Sequence, residues 1–188
     1  MPFNCGFSIQ TNLFALVLDF KCMKKKINLV IRKTTLKDIP VLSSFVASLM
    51  LHHHNLATNS DSLAQLKETK NIQTMRKQWF TKHVKSKNSI LLIAEVGGKP
   101  VGYALSYIKT NIAIYKLRKL GHMSDLYIKK GYRGKGIAKQ FRDLAWSWFK
   151  KKGMKYIAIG AHAENKVAQK IYHRWGFFDY HIEMRRKL

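Results

Sequence analysis

The chain has 188 residues, with 35 Lys and Arg against 10 Asp and Glu, for a formal net charge of +25. Because 46% of its residues are apolar, it can build a full core unaided, which excludes a disordered polyelectrolyte. The charge disfavours polycationic partners such as polyamines and gives weak, non-specific attraction for polyanions, with a solubilising basic surface as the plainer reading.

Cys5 and Cys22 are the only cysteines, outside any metal-ligand spacing, so a disulfide framework is disfavoured and a reducing, cytoplasmic setting is expected. No apolar run approaches the ~18 residues of a bilayer crossing, and no membrane partner is expected. Residues 1–22 are almost uncharged and give way abruptly to Met23-Lys24-Lys25-Lys26. That break suggests an N-terminal extension over 1–22, with Met23 as the native start, ahead of a single domain over 23–188. The competing reading is an ordinary added strand or helix.

Leu29 to Thr34 has the β-branched character of a strand. Thr34 or Thr35, followed by Asp38, marks a helix start before Ile39, Leu42, Phe45, Val46 and Leu49. Leu51 to Lys67 reads as polar and irregular. It contains His52-His53-His54, whose adjacent imidazoles point in different directions and lack a nearby Cys or carboxylate at ligand spacing, so no metal is expected. Ile72 to Val84 reads as a second helix carrying Met75, Trp79, Phe80 and His83. Ser89 to Val96 and Pro100 to Ile108, joined by Gly97-Gly98-Lys99, read as an antiparallel hairpin. Ile112 to Leu120 fits both periods and is taken as an inserted segment.

Met123 to Ile128 reads as a buried strand. The helix after it is the clearest element, with Ile137, Phe141, Leu144, Ala145 and Trp148 on one stripe, cationic Lys150 to Lys152 in its last turn and Gly153 as its stop. Tyr156 to Ala161 then reads as a strand, Asn165 to Trp175 as the last helix and Phe178 to Met184 as a closing strand. The order predicts an α/β fold of the α+β kind: a mixed, mostly antiparallel central sheet flanked by helices on both faces.

Gly131, Gly134 and Gly136 stand between the buried strand and that helix. Glycines there let the chain turn sharply and leave no side chain between backbone amides and a ligand, as a phosphate cradle at a helix start requires. Ile137 and Ala138 stand where a Walker A loop has Lys and Ser or Thr, so a nucleoside triphosphate with magnesium is disfavoured.

The pattern Arg133-x-x-Gly136-x-Ala138, with Asp125-Leu126-Tyr127-Ile128 upstream and Asn165, Ala168, Tyr172 and Gly176-Phe177 downstream, resembles the GCN5-related N-acetyltransferases (GNAT). The resemblance covers roughly Leu29 to Leu188 and is sharp from about Asp125 to Phe177. It implies a domain of that fold over 23–188, acetyl-CoA as co-substrate without a metal, an amine acceptor of unstated identity, and a homodimer as one assembly. It also implies that Leu126, Tyr127 and Ile128 pair through their backbones with the pantetheine arm. Arg133, Gly134, Lys135, Gly136, Ile137, Ala138 and Lys139 would hold the pyrophosphate, and Asn165 and Tyr172 would face the cofactor from the last helix, against simple readings as a helix cap and a buried core tyrosine.

An amine of pKa ~10.4 costs about 4.6 kcal/mol to present unprotonated at pH 7, so the implied reaction needs a base route as well as a proton for the departing thiolate. Tyr172 is the expected proton donor. His122 falls where some relatives carry a glutamate base, and plain alternation puts it on one face with Ser124 and Leu126 and leaves Asp125, the alternative base, on the other. The competing reading is a basic nucleic-acid- or ribosome-associated protein of the same fold that binds acyl-CoA without turnover, supported by charge alone.

Overall fold

The computed structural model describes residues 28–58 and 60–187. The expected extension over 1–22 and the break at Met23 lie outside these residues. Among the described residues, five strands form one sheet in chain order: β1 (Leu29–Lys33), β2 (Ser89–Val96), β3 (Lys99–Thr110), β4 (Lys119–Ile128) and β5 (Ile157–Ile159). The first four are antiparallel neighbours and β5 is parallel to β4. The helices are α1 (Ile39–Leu56), α2 (Ser60–Gln65), α3 (Ile72–Lys85), α4 (Ile137–Lys151) and α5 (Lys166–Arg174). This is the mixed, mostly antiparallel sheet that the order of elements predicts.

Alternation along β2 and β3 supplies two cores. Leu91, Tyr103 and Leu105 pack with Ile39, Leu42 and Phe45 of α1 and Phe80 of α3. On the opposite face, Leu92, Ala94, Val101 and Ala104 meet Ile137 and Phe141 of α4. Apolar residues on both sides of a strand thus demand cover on both sides. A 3-10 turn, Leu36–Asp38, leads into α1. Asp38 returns to accept from the Thr35 amide at 2.7 Å and is gripped by Arg32, which also reaches Glu95, so β1, β2 and the helix start are tied together.

Several expectations are corrected. Leu51 to Lys67 is not irregular: α1 runs on to Leu56 and α2 follows. On α3 the buried positions are Arg76, Phe80 and His83, whereas Met75 and Trp79 are exposed. Arg76 takes a core-facing site because Glu68 pairs with it. On α4, Phe149 is fully buried where Leu144 was expected, because the contact follows Ile137, Phe141, Ala145 and Phe149 along one row of fourfold spacing.

The expected strand Tyr156 to Ala161 narrows to three residues. The closing strand at Phe178 to Met184 does not form: the segment has the right alternation, but no described strand pairs with it. Period two reports which side chains share a face, and strand formation needs a partner as well.

Candidate active site

The parallel pairing of β4 with β5 covers only Gly121, His122 and Met123 against Ile157, Ala158 and Ile159. Beyond that point β4 continues to Ile128 with no described strand on its β5 side. The Lys129 amide donates to Val101 on β3 at 2.9 Å, and backbone direction alternates along an antiparallel ladder. The Tyr127 backbone therefore also points to β3, while those of Leu126 and Ile128 point into the open side. Of the three residues expected to pair with a ligand through their backbones, the structure turns two toward the gap and one away from it.

The loop after β4 begins with a 3-10 turn, Lys130–Tyr132. Gly134 and Gly136 have φ of +75° and +80°, which explains glycine at both positions. A Cβ on either would meet no atom within 4 Å, so the space in front of them is open. The Arg133 amide donates to Lys130 and the Gln140 amide to Gly136, whereas the amides of residues 134–139 have no backbone acceptor among the described residues. Six consecutive N–H groups therefore gather at the positive end of α4 and can bind an anion.

The side chains there divide their work. Arg133 Nε donates to the Ile128 carbonyl at 2.9 Å, bracing the loop against the end of β4. Lys135 Nζ lies 5.1 Å from the Tyr132 ring centroid, and Lys139 is exposed. Ile137 is buried in the core, so only its backbone can serve a ligand, as is largely true of half-buried Ala138.

A β-bulge corrects the expected faces of β4. Leu105 pairs with Asp125 and Ser106 with Met123, so Ser124 is the extra residue. The slip carries His122 and Asp125 to the same face, that of Tyr103, Tyr107 and Tyr127. Asp125 accepts from Ser124 Oγ at 2.9 Å and from the Tyr103 hydroxyl at 3.2 Å. Burial raises its pKa against the pull of those two bonds. His122 stands edge-on to Tyr107 at 5.1 Å, and its buried Nδ1 has no partner among the described residues. Burial, with help from Lys109, lowers its pKa and keeps the imidazole neutral.

This cluster extends to residues whose roles the sequence did not signal. His83 Nδ1 lies 2.7 Å from Ser89 Oγ, and the His83 ring stands 5.1 Å from that of Tyr107 and 4.3 Å from that of Trp79. Burial pulls the His83 pKa down to about 4, the nearby Lys82 charge adding to the effect. The folded state therefore binds fewer protons at this site than the unfolded chain. The associated stability is complete above about pH 6.5 and is lost as pH falls toward 4. Its expected size is on the order of 2 kcal/mol after partial solvent screening. Denaturant unfolding of wild type and His83→Gln at pH 7 and pH 4.5 measures it: the variant should lose less stability on acidification.

Asn165 caps α5, its Oδ1 accepting from the Ala168 amide at 3.1 Å. The capping reading therefore holds for the oxygen, and the amide nitrogen is what remains for a ligand. Tyr172, two turns along α5, lies 5.7 Å from the Trp175 ring and 6.3 Å from Phe177, and burial raises its pKa. Ahead of α5, His162 stacks on His53 of α1 at 6.4 Å and pairs with Glu164 at 2.5 Å, while Thr58 donates to Glu164 at 3.4 Å. At the far end of α5, Phe177 meets Trp146 of α4. The α5 region thus joins the helical layers of both sheet faces beside the gap at β4. Among the described residues, no group of three or more His, Cys, Asp or Glu is placed to hold a metal ion.

The sequence from residue 54 to 177, from the end of α1 through α5 to Phe177, matches the model of the acetyltransferase (GNAT) family. The chain belongs to that family. An uncharacterized N-acetyltransferase of Methanocaldococcus jannaschii is 28% identical over 101 residues, 53% of this chain and 44% of that protein, so the match spans less than half the relative's length. Two solved structures share the GNAT fold. A tetramutant protein of Bacillus halodurans superposes with a TM-score of 0.70 at 18% identity, over 85% of this chain and 99% of the other. A predicted acetyltransferase of Clostridium acetobutylicum, solved with acetyl-CoA, superposes with a TM-score of 0.68 at 19% identity, over 85% and 96%. The GNAT match ends at Phe177, three residues past the end of α5, the last helix among the described residues.

Proposed function

We propose that this GNAT chain is an acetyl-CoA-dependent N-acetyltransferase that moves an acetyl group to a primary amine, on a protein or a small molecule, by direct attack in a ternary complex. The observation that carries the reading is the run of unpartnered amides at 134–139, beside the strand edge of Leu126 and Ile128. Acetyl-CoA has a diphosphate suited to the first and an amide-rich pantetheine arm suited to the second. The Clostridium acetobutylicum relative, solved with that molecule, is consistent with this choice.

Gly134 to Lys139 hold the diphosphate, with Arg133 bracing the loop, and Leu126 and Ile128 orient the arm. His122, its pKa lowered by burial, accepts a proton from the attacking amine through water. Asp125 on the same face is the alternative base, burial raising its pKa and so strengthening the carboxylate as an acceptor of protons. Tyr172 keeps its proton until the thiolate leaves. The cytoplasm is the setting this chemistry suits, and among the described residues no helix is long and apolar enough to cross a membrane.

The net charge of +25 motivates a second reading, non-specific binding of a nucleic acid or ribosome by the same fold without turnover. One experiment separates the two: an amine-acceptor panel assayed by free CoA release, with wild type beside Tyr172→Phe. The enzyme reading expects turnover with at least one amine and a kcat about a hundredfold lower in the variant. Absence of turnover across the panel, combined with steeply salt-dependent RNA binding, would favour the second. Self-association is likewise implied by the resemblance.

A further inference from the structure

Several segments meet at the end of the sheet away from the glycine loop. β3 and β4 turn there through residues 111–118, the register closing at Thr110 with Lys119. β2 starts there, since the Ile108 amide donates to the Asn88 carbonyl at 2.9 Å, and α3 ends just before it. The last turn of α4 and the approach to β5 lie against the same end: a Cβ on Gly121 would collide with the Phe149 ring, and the Gly121 amide donates to the Tyr156 carbonyl at 2.9 Å. The cations carried here, among them Lys87, Lys109, Lys116, Lys119, Lys151 and Lys155, are exposed. No acid accompanies them, because the chain has no Asp or Glu between Glu68 and Glu95, between Glu95 and Asp125, or between Asp143 and Glu164.

The turn is apolar at its tip. Ile112, Ile114 and Tyr115 are 60%, 81% and 49% exposed, and Tyr156, near the base of the turn, is 58% exposed. Single exposed apolar residues are ordinary, but three within four positions make a patch. The loop is braced from within. The Asn111 amide donates to the Arg118 carbonyl at 2.9 Å, the Tyr115 amide to the Ile112 carbonyl at 3.2 Å, and Arg118 Nη1 to the Ala113 carbonyl at 2.7 Å. The tip therefore pairs part of its own backbone while its aliphatic side chains stand in solvent.

We infer that this end of the molecule docks on an anionic lipid bilayer, with Ile112, Ile114 and Tyr115 entering the headgroup boundary and the surrounding lysines held at the lipid phosphates. Charge complementarity sets the sign of the partner, and the tip sets its kind. A nucleic acid offers phosphates and base faces, on which aromatic rings and guanidinium groups stack, and an isoleucine gains little there. A bilayer offers phosphates above an apolar boundary, so cations and aliphatic groups are both satisfied, and tyrosine suits the interface between them. Peripheral docking needs no bilayer-crossing segment, so the hydropathy behind the expectation of no membrane partner does not bear on it. The whole length of α4 separates this end from the amides of 134–139, and docking does not depend on acetyl transfer.

The test is co-sedimentation of the full chain with vesicles of phosphatidylcholine, alone or with about one third phosphatidylserine, at low and high salt, with circular dichroism as the check of folding. Wild type should bind the anionic vesicles only and be released by salt. Ile114→Asp should weaken binding about tenfold, and Lys116→Ala and Lys119→Ala about fivefold each. Lys99→Ala, in the β2–β3 turn at the opposite end of the sheet, should bind as wild type does. Four results would overturn the inference: no binding to anionic vesicles, equal binding to both kinds of vesicle, Ile114→Asp binding like wild type, or Lys99→Ala losing as much as Lys116→Ala. In the first case, salt-sensitive retention on a single-stranded RNA homopolymer, unaffected by Ile114→Asp, would assign the cationic end to nucleic acid instead.

Discussion

Gly136→Val is expected to weaken acetyl-CoA binding by about a thousandfold while the protein stays folded. Two costs combine. Gly136 has φ of +80°, where a Cβ costs roughly 1–2 kcal/mol and a β-branched side chain more, so the loop relaxes away from its present path. Relaxation turns the amides of 134–139 out of convergence, and a diphosphate loses two or three charge-assisted bonds that together contribute about 4 kcal/mol. The fold should tolerate the change, because nothing lies within 4 Å of the added atom. Titration calorimetry with acetyl-CoA, alongside a thermal melt of the free protein, reads both effects. Wild-type affinity in the folded variant would remove this loop from the binding site.

Gly102→Val should destabilise the protein by about 4 kcal/mol, which lowers its melting temperature by roughly 10 °C for a chain of this size. A Cβ at Gly102 would stand 2.5 Å from the Tyr127 carbonyl oxygen and 3.2 Å from the Ile128 Cα. Both obstacles are backbone in the ladder of β3 and β4, so relief requires prising apart hydrogen-bonded strands. That movement displaces Leu126 and Ile128, so acetyl-CoA affinity should fall with stability. Differential scanning calorimetry with and without acetyl-CoA tests the pair. An unchanged melting temperature would mean that the two strands are not packed this closely.

These two glycines show how unevenly the chain could be read before folding. Gly136 was conspicuous because it sits in a cluster of glycines and cations just before a periodic helix, all within one stretch of sequence. Gly102 had no such setting: its constraint comes from Tyr127, 25 positions later, and only strand pairing brings the two together. The same distinction separates Ile137 and Phe141, expected on the buried stripe, from Phe149, whose burial depends on how α4 is rotated over the sheet. His122 and Asp125 were both singled out, but on opposite faces. The bulge at Ser124 reverses that, since one extra residue changes the face of every side chain beyond it. His83 belongs to the helical pattern of Ile72 to Val84 and Tyr107 to the hairpin, but only long-range packing brings the two rings together beside His122.

Local chemistry was therefore enough to determine the GNAT resemblance, the kind and order of most elements, the hairpin and the glycine loop, because periodicity, turn residues and motif spacing act over a few neighbouring positions. The tertiary structure alone decided which strand edge stays open among the described residues, which amides converge, which carboxylate and imidazole share a face, and that Phe178 to Met184 finds no described strand to pair with. Each of these depends on backbone groups far apart in sequence being satisfied, or left unsatisfied, by one another, and no stretch of a single chain records its own partner.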